Sequence, residues 1–145
     1  MGIVDQLLAQ PGLYLGTDQM EGSDRRGVSR MVVTALPGGA GVALDYEVLL
    51  SDEPGRVQGH AEHTMIGSTH DGPAFMVIGH THADALTVLE ETEPGVFELG
   101  DRPSPYPVKV VVSVPAPGRI RHSWWYGSPG EAPVERDVSE VERLG

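Results

Sequence analysis

The chain of 145 residues carries 21 Asp and Glu against 10 Lys and Arg, a formal charge of −11, and contains no cysteine. A chain of this length is one domain with enough material for a conventional apolar core. The charge argues against a phosphate-backbone footprint, which needs clustered basic residues, and the missing thiols exclude disulfide frameworks, thiolate zinc sites and cysteine nucleophiles together.

No run approaches the 18 or so apolar residues of a membrane span, and residues 1–10 lack the basic start and long apolar stretch of a secretory signal. The expected compartment is therefore the cytoplasm, with neither nucleic acid nor a membrane span involved. Ile3, Val4, Leu7 and Leu8 have the i, i+3/i+4 spacing of a short amphipathic helix, which Pro11-Gly12 stops. The spacing predicts one helix within residues 1–10.

Residues 13–18 read as a strand, and a polar loop follows over 19–27. Residues 28–36 are β-branched and turn back at Pro37-Gly38-Gly39, after which Val42, Leu44, Tyr46, Val48 and Leu50 alternate without a break. Five apolar residues at period two put one side of that strand inside. After a turn at 52–55, residues 56–68 read as a longer strand with Val57, Ala61, His63 and Met65 on one parity. A turn at 70–73 leads to 74–83 and 86–91, one bent strand or two, and the turn 92–95 separates these from 96–99.

Val108, Val110, Val112 and Val114 alternate up to the turn 115–118, and Ile120, His122, Trp124 and Tyr126 alternate after it, so these runs predict a hairpin with both sets inside. In the tail, Val134, Val138, Val141 and Leu144 fit a helix, whereas Val134, Arg136 and Val138 fit a closing strand, and the context favours the strand. The sum is an all-β, closed antiparallel β-barrel of eight to ten strands over 13–144 with one short N-terminal helix, in a single domain over 1–145. Closure disposes of the edges that an open sheet of this size would expose.

This order of elements, with the late strand Arg121-His122-Ser123-Trp124-Trp125-Tyr126-Gly127 and the charged finish Glu135-Arg136-Asp137-Val138, resembles the calycin group, which holds the lipocalins, the fatty-acid-binding proteins and bacterial lipocalin-like domains. Lipocalins proper open the first strand with Gly-x-Trp, where this chain has Gly12-Leu13-Tyr14. The resemblance implies a barrel that encloses one small apolar ligand, with the helix near one mouth.

Six histidines, His60, His63, His70, His80, His82 and His122, are the most suggestive chemical feature. His80 and His82 share a strand face, as do His60 and Glu62. The His80/His82 pair is similar to the metal-binding pair of cupins, but Leu86 and Thr87 stand where the cupin glutamate would fall, so no metal site is expected. For acid–base work the residues of choice are His122, between Ile120 and Trp124, and then His63. The acidic stretch 131–142 reads as a solvated face.

The expected function is binding of a small hydrophobic or amphipathic molecule in an enclosed cavity of roughly 300–1,000 Å³. Tyr46, His63, Met65, His80, His82, His122, Trp124 and Tyr126 are the expected ligand-binding residues, with no cofactor and no metal. Trp125 should face outward or into a second copy, and a homodimer is among the expected partners. Two alternatives stand beside this: a cyclase or isomerase of the same fold with a buried His as acid or base, and a metal- or haem-binding barrel.

Overall fold

The period-two runs become ten strands in a computed structural model of the chain, which describes residues 2–22, 26–50, 58–69, 72–80 and 86–145. Of residues 58, 68–69, 72–74 and 80 it describes the backbone only. A helix α1 (Ile3–Leu8) precedes β1 (Gly12–Met20), β2 (Arg26–Ala35), β3 (Gly41–Leu50), β4 (Gln58–Thr69) and β5 (Gly72–His80). Then come β6 (Thr87–Glu93), β7 (Val96–Glu98), β8 (Val108–Ala116), β9 (Arg119–Tyr126) and β10 (Val134–Arg143). Each strand pairs antiparallel with its sequence neighbours, and β10 pairs with β1 to close the ring. The fold class is thus the one the turn spacing predicts, and the tail is a strand.

Pairing on both flanks holds β1 extended further than its sequence suggests. Gln19 lies opposite Arg26 on β2 and Met20 lies opposite Asp137 on β10, so the loop expected over 19–27 is shorter. At the β1–β10 seam the backbones approach so closely that a Cβ on Gly16 would sit 1.8 Å from the Glu140 carbonyl oxygen. Only glycine fits there.

Alternation then sorts the side chains. Val42, Leu44, Tyr46 and Val48 are buried with Leu50 half-buried, Val108, Val110 and Val112 are buried with Val114 half-buried, and Ile120, His122 and Trp124 are buried. Tyr126, the last of its set, is 36% exposed because its strand ends at the rim.

The two ends of the bore differ. At the end where β1 begins and β8 turns into β9, α1 lies across the opening, burying Ile3 and Leu7. Tyr14 Oη donates to the Gln10 carbonyl at 2.6 Å, and the Gly118 N–H donates to the Gln10 side-chain oxygen, which ties the helix exit to the β8–β9 turn. Below it Met31, Val33, Val42, Leu44, Ile66, Met76, Ile78, Leu89, Phe97, Val110, Ile120 and Val141 form the apolar core. The polar inner residues gather in the other half.

Candidate functional site

Among the described residues, the end of the barrel opposite α1 is open and forms a mouth. A pocket of about 460 Å³ enters there, lined by Met20, Gly59, His60, Tyr106, Val108, Trp124, Tyr126, Gly127 and Asp137. A smaller hollow of about 220 Å³ shares Met20, Gly59, His60 and Asp137 with it and continues along Asp18, Gly27, Val48 and Leu50. Among the described residues the pocket opens to solvent at the rim, while apolar side chains occupy the helix-end half of the bore.

Asp137 reaches the pocket through an irregularity in β10. Val134 and Glu135 lie opposite Tyr126 and Trp125, but Asp137 lies opposite Trp124, so Arg136 is an extra residue in the ladder. A bulge of this kind shifts every later side chain to the other face. Without it Arg136 and Val138 would point inward. With it Asp137, Ser139 and Val141 do, all buried.

A chain of hydroxyls converges on the neighbouring carboxylate. Ser29 Oγ donates to Ser139 Oγ at 3.0 Å, Ser139 Oγ donates to Asp18 Oδ2 at 2.7 Å, and Tyr46 Oη donates to the same oxygen at 3.5 Å. Asp137 stands beside the Asp18 carboxyl group in the same hollow, where the two acids can share one proton. Burial, that shared proton, and the charges of Asp18 and Glu62 push the Asp137 carboxyl up to about 8, so it holds its proton at neutral pH. Asp137 is only 8% exposed, and its Oδ1 has no hydrogen-bond partner among the described residues. Burial and the nearby charges of Asp137, Glu62 and Asp18 keep the Tyr46 phenol well above its ordinary value.

Glu62 is the second polar centre. His60 Nε2 lies 2.8 Å from Glu62 Oε2, the Trp124 indole N–H donates to the same oxygen at 3.1 Å, and Thr64 Oγ1 donates to Oε1 at 3.2 Å. His122 Nε2 stands 3.4 Å from Oε1, an ion-pair separation without hydrogen-bond alignment, and neither of its ring nitrogens completes a hydrogen bond among the described residues. Burial opposes ionisation of Glu62, but the imidazoles of His122 and His60 outweigh it and hold the carboxyl down at about 2. The Tyr46 ring packs between both imidazoles, with centroids 5.6 Å from His60 and 5.0 Å from His122.

Of the residues expected to bind a ligand, Trp124 and Tyr126 line the mouth, while Tyr46 and His122 lie behind it in the polar layer. Two expectations are overturned in placement. His63 and Met65 face outward, their side chains on the outer parity of β4, with His63 ion-paired to Asp45. The reason is register: Tyr46 lies opposite Glu62, so inward Tyr46 forces inward Glu62 and outward His63. His82 lies outside the described residues, and only the backbone of His80 is described. Among the described residues no three His, Asp or Glu side chains are arranged to hold a metal ion.

Asp18, Glu62, Asp137 and Ser139 do not belong to the expected site at all, and residues 131–142 do not form the uniformly solvated face expected of them. Polar residues at inner positions look like outer-face residues in an isolated strand. The signal that finds them is alignment to a neighbour: Tyr14 and Asp18 share a parity, as do Ile66 and Glu62, and Val141 with Ser139 and Asp137. Trp125 faces outward as expected, its indole N–H on Ser123 Oγ and its ring under Lys109 Nζ at 4.1 Å.

No protein-family model matches the chain, and comparison with curated proteins returns no similar sequence.

Proposed function

We propose that the chain is a binding barrel of calycin type that takes one small amphipathic molecule in its open mouth. The apolar part of the molecule packs against Met20, Val108, Trp124, Tyr126 and Tyr106, and its polar end meets Asp137 and His60. The observation that carries this reading is the conjunction of apolar walls with a buried carboxyl group, one oxygen of which lacks a partner, in a pocket of about 460 Å³. Pockets of this size and mixture suit one small molecule, and a polar group left unpaired in a stable fold favours a ligand that pairs it.

The test is a titration read through tryptophan emission. A molecule entering the mouth shifts Trp124 emission saturably in a Trp125→Phe protein, where Trp124 is the sole indole. Trp124→Ala should weaken binding by about 2 kcal/mol, as buried aromatic anchors do. A panel of alkyl and aryl molecules of all three charge types that yields no saturable shift sinks the reading.

A second reading, acid or base turnover of the bound molecule, is favoured by one observation: Asp137 keeps a proton at neutral pH beside the pocket. It assigns the proton to Asp137 in place of His122, which is buried behind the mouth. Mass spectrometry of bound molecules recovered after incubation tests it, and recovery of every one unaltered goes against it.

A further inference from the structure

We infer that the occupant of the mouth is an organic cation, with an ammonium group set at Asp137 and an apolar body among the rings of Trp124, Tyr126 and Tyr106. This rests on the binding reading above and adds the chemical class of the ligand.

The charge distribution carries it. Two carboxyl groups, Asp18 and Asp137, meet at the floor, and neither forms an ion pair with a Lys, Arg or His of the described residues. Among the described residues that line the pocket there is no Lys or Arg. The guanidinium of Arg136, at the rim, stands 5.8 Å over the Tyr126 ring and is held by Glu21 at 3.0 Å and by the Tyr126 carbonyl at 3.2 Å. Glu62 has the imidazoles of His60 and His122 beside it, whereas among the described residues the Asp18–Asp137 pair is met by hydroxyl groups and has no basic side chain paired to it.

A cation that replaces the Asp137 proton satisfies both carboxylates at once, including the unpartnered Asp137 Oδ1. The walls suit the same ligand. Three aromatic side chains line the entrance, and aromatic rings attract a desolvated ammonium that lies close to their faces. An anion would face an unbalanced pair of acids in a chain of charge −11, which draws in cations and repels anions at long range.

The experiment is calorimetric titration with three probes of similar shape: phenethyltrimethylammonium, phenylbutanol and phenylbutyrate. The quaternary ammonium has no proton of its own, so any dependence of its affinity on pH belongs to the protein. Among the described residues the other titratable groups at this mouth are Asp18 from β1, Tyr46 from β3, His60 and Glu62 from β4, Tyr126 from β9, Arg136 from β10, and Tyr106 between β7 and β8.

The expected order of affinity is ammonium, then alcohol, then carboxylate. Displacement of the Asp137 proton makes the ammonium bind about twentyfold more tightly at pH 8.5 than at pH 6.5. Asp137→Asn should remove most of that rise, because the isosteric amide does not titrate, while alcohol binding changes little.

If Asp137→Asn fails to fold, as judged by its near-ultraviolet dichroism, Tyr126→Leu at the exposed rim carries the test: the preference for ammonium over alcohol should fall about threefold. Equal or tighter binding of the alcohol or the carboxylate, or an ammonium affinity flat in pH, overturns the cation and leaves the binding reading standing. Binding of none of the three overturns both.

Discussion

The Trp124 indole on β9 donates to Glu62 on β4 at 3.1 Å, and these strands stand on opposite sides of the ring, five places apart in a circle of ten. The bond is a crossbar through the bore. Its two ends have unequal duties, since Glu62 also bonds His60 and Thr64 and stands 3.4 Å from His122 Nε2.

Glu62→Ala should therefore cost about 3 kcal/mol, because it leaves buried donors without their acceptor. Trp124→Phe should cost about 1 kcal/mol, since Glu62 keeps its other partners. Urea unfolding of the two variants and their combination checks this, and a combined loss equal to the sum would mean that the crossbar carries no coupling.

Stability should fall on both sides of a mildly acidic maximum. The Glu62 carboxyl lies at about 2 when folded, below its ordinary 4.5, so its contribution is present above 4.5 and disappears as pH falls toward 2. Asp137 has the opposite sign. At about 8 when folded against an ordinary 3.8, the native state binds the extra proton, so its contribution is full below 3.8 and is lost as pH rises through 8. Asp137→Asn should flatten the alkaline limb, so that the variant is the more stable of the two at pH 8. A melting-temperature profile that keeps its alkaline decline in that variant contradicts the assignment.

Gly16→Ala should open the β1–β10 seam. A methyl group there meets backbone at 1.8 Å from the Glu140 oxygen, and backbone cannot yield as a flexible side chain does. The loss should be roughly 3 kcal/mol or more. Amide exchange should rise first at residues of β1 and β10, and uniform exchange across all ten strands would point to another cause.

His63→Ala should be nearly silent. The side chain is 56% exposed and its partner Asp45 is 51% exposed, and exposed pairs of this kind are worth about 0–1 kcal/mol. Neither thermal midpoint nor affinity for a molecule in the mouth should change; a clear loss of affinity would return His63 to the site.

The strands that alternate cleanly were legible because their inner residues are apolar: Val42 to Val48, Val108 to Val112 and Ile120 to Trp124 announce their parity without help from a partner. The closed ring followed from the number of such runs and their turns. The site was less legible, for two physical reasons. On β4 the inner face is His60, Glu62, Thr64 and Ile66, and only the register against Tyr46 tells it apart from the more apolar outer parity of Ala61 and Met65. On β10 the extra residue Arg136 reverses the alternation, and nothing local in Glu135-Arg136-Asp137 marks a bulge. Trp124 was recognised because indole and neighbours agree in parity. Asp137 was not, since a carboxyl on a charged strand looks like surface until the ladder is counted.

Nine of the ten strand pairings join neighbours in sequence, and one joins the two extremes of the chain, Gly16 to Val141. Hairpins can assemble as the chain grows, but the last pairing requires a loop of more than a hundred residues to close, an entropic step that local contacts do not help. Asp18 belongs to the first strand, and Asp137 and Ser139 to the last. The floor of the mouth is therefore made in the final act of folding. A chain whose first and last strands have not met holds every hairpin and no carboxyl pair, so acquisition of the pocket reports completion of the barrel itself.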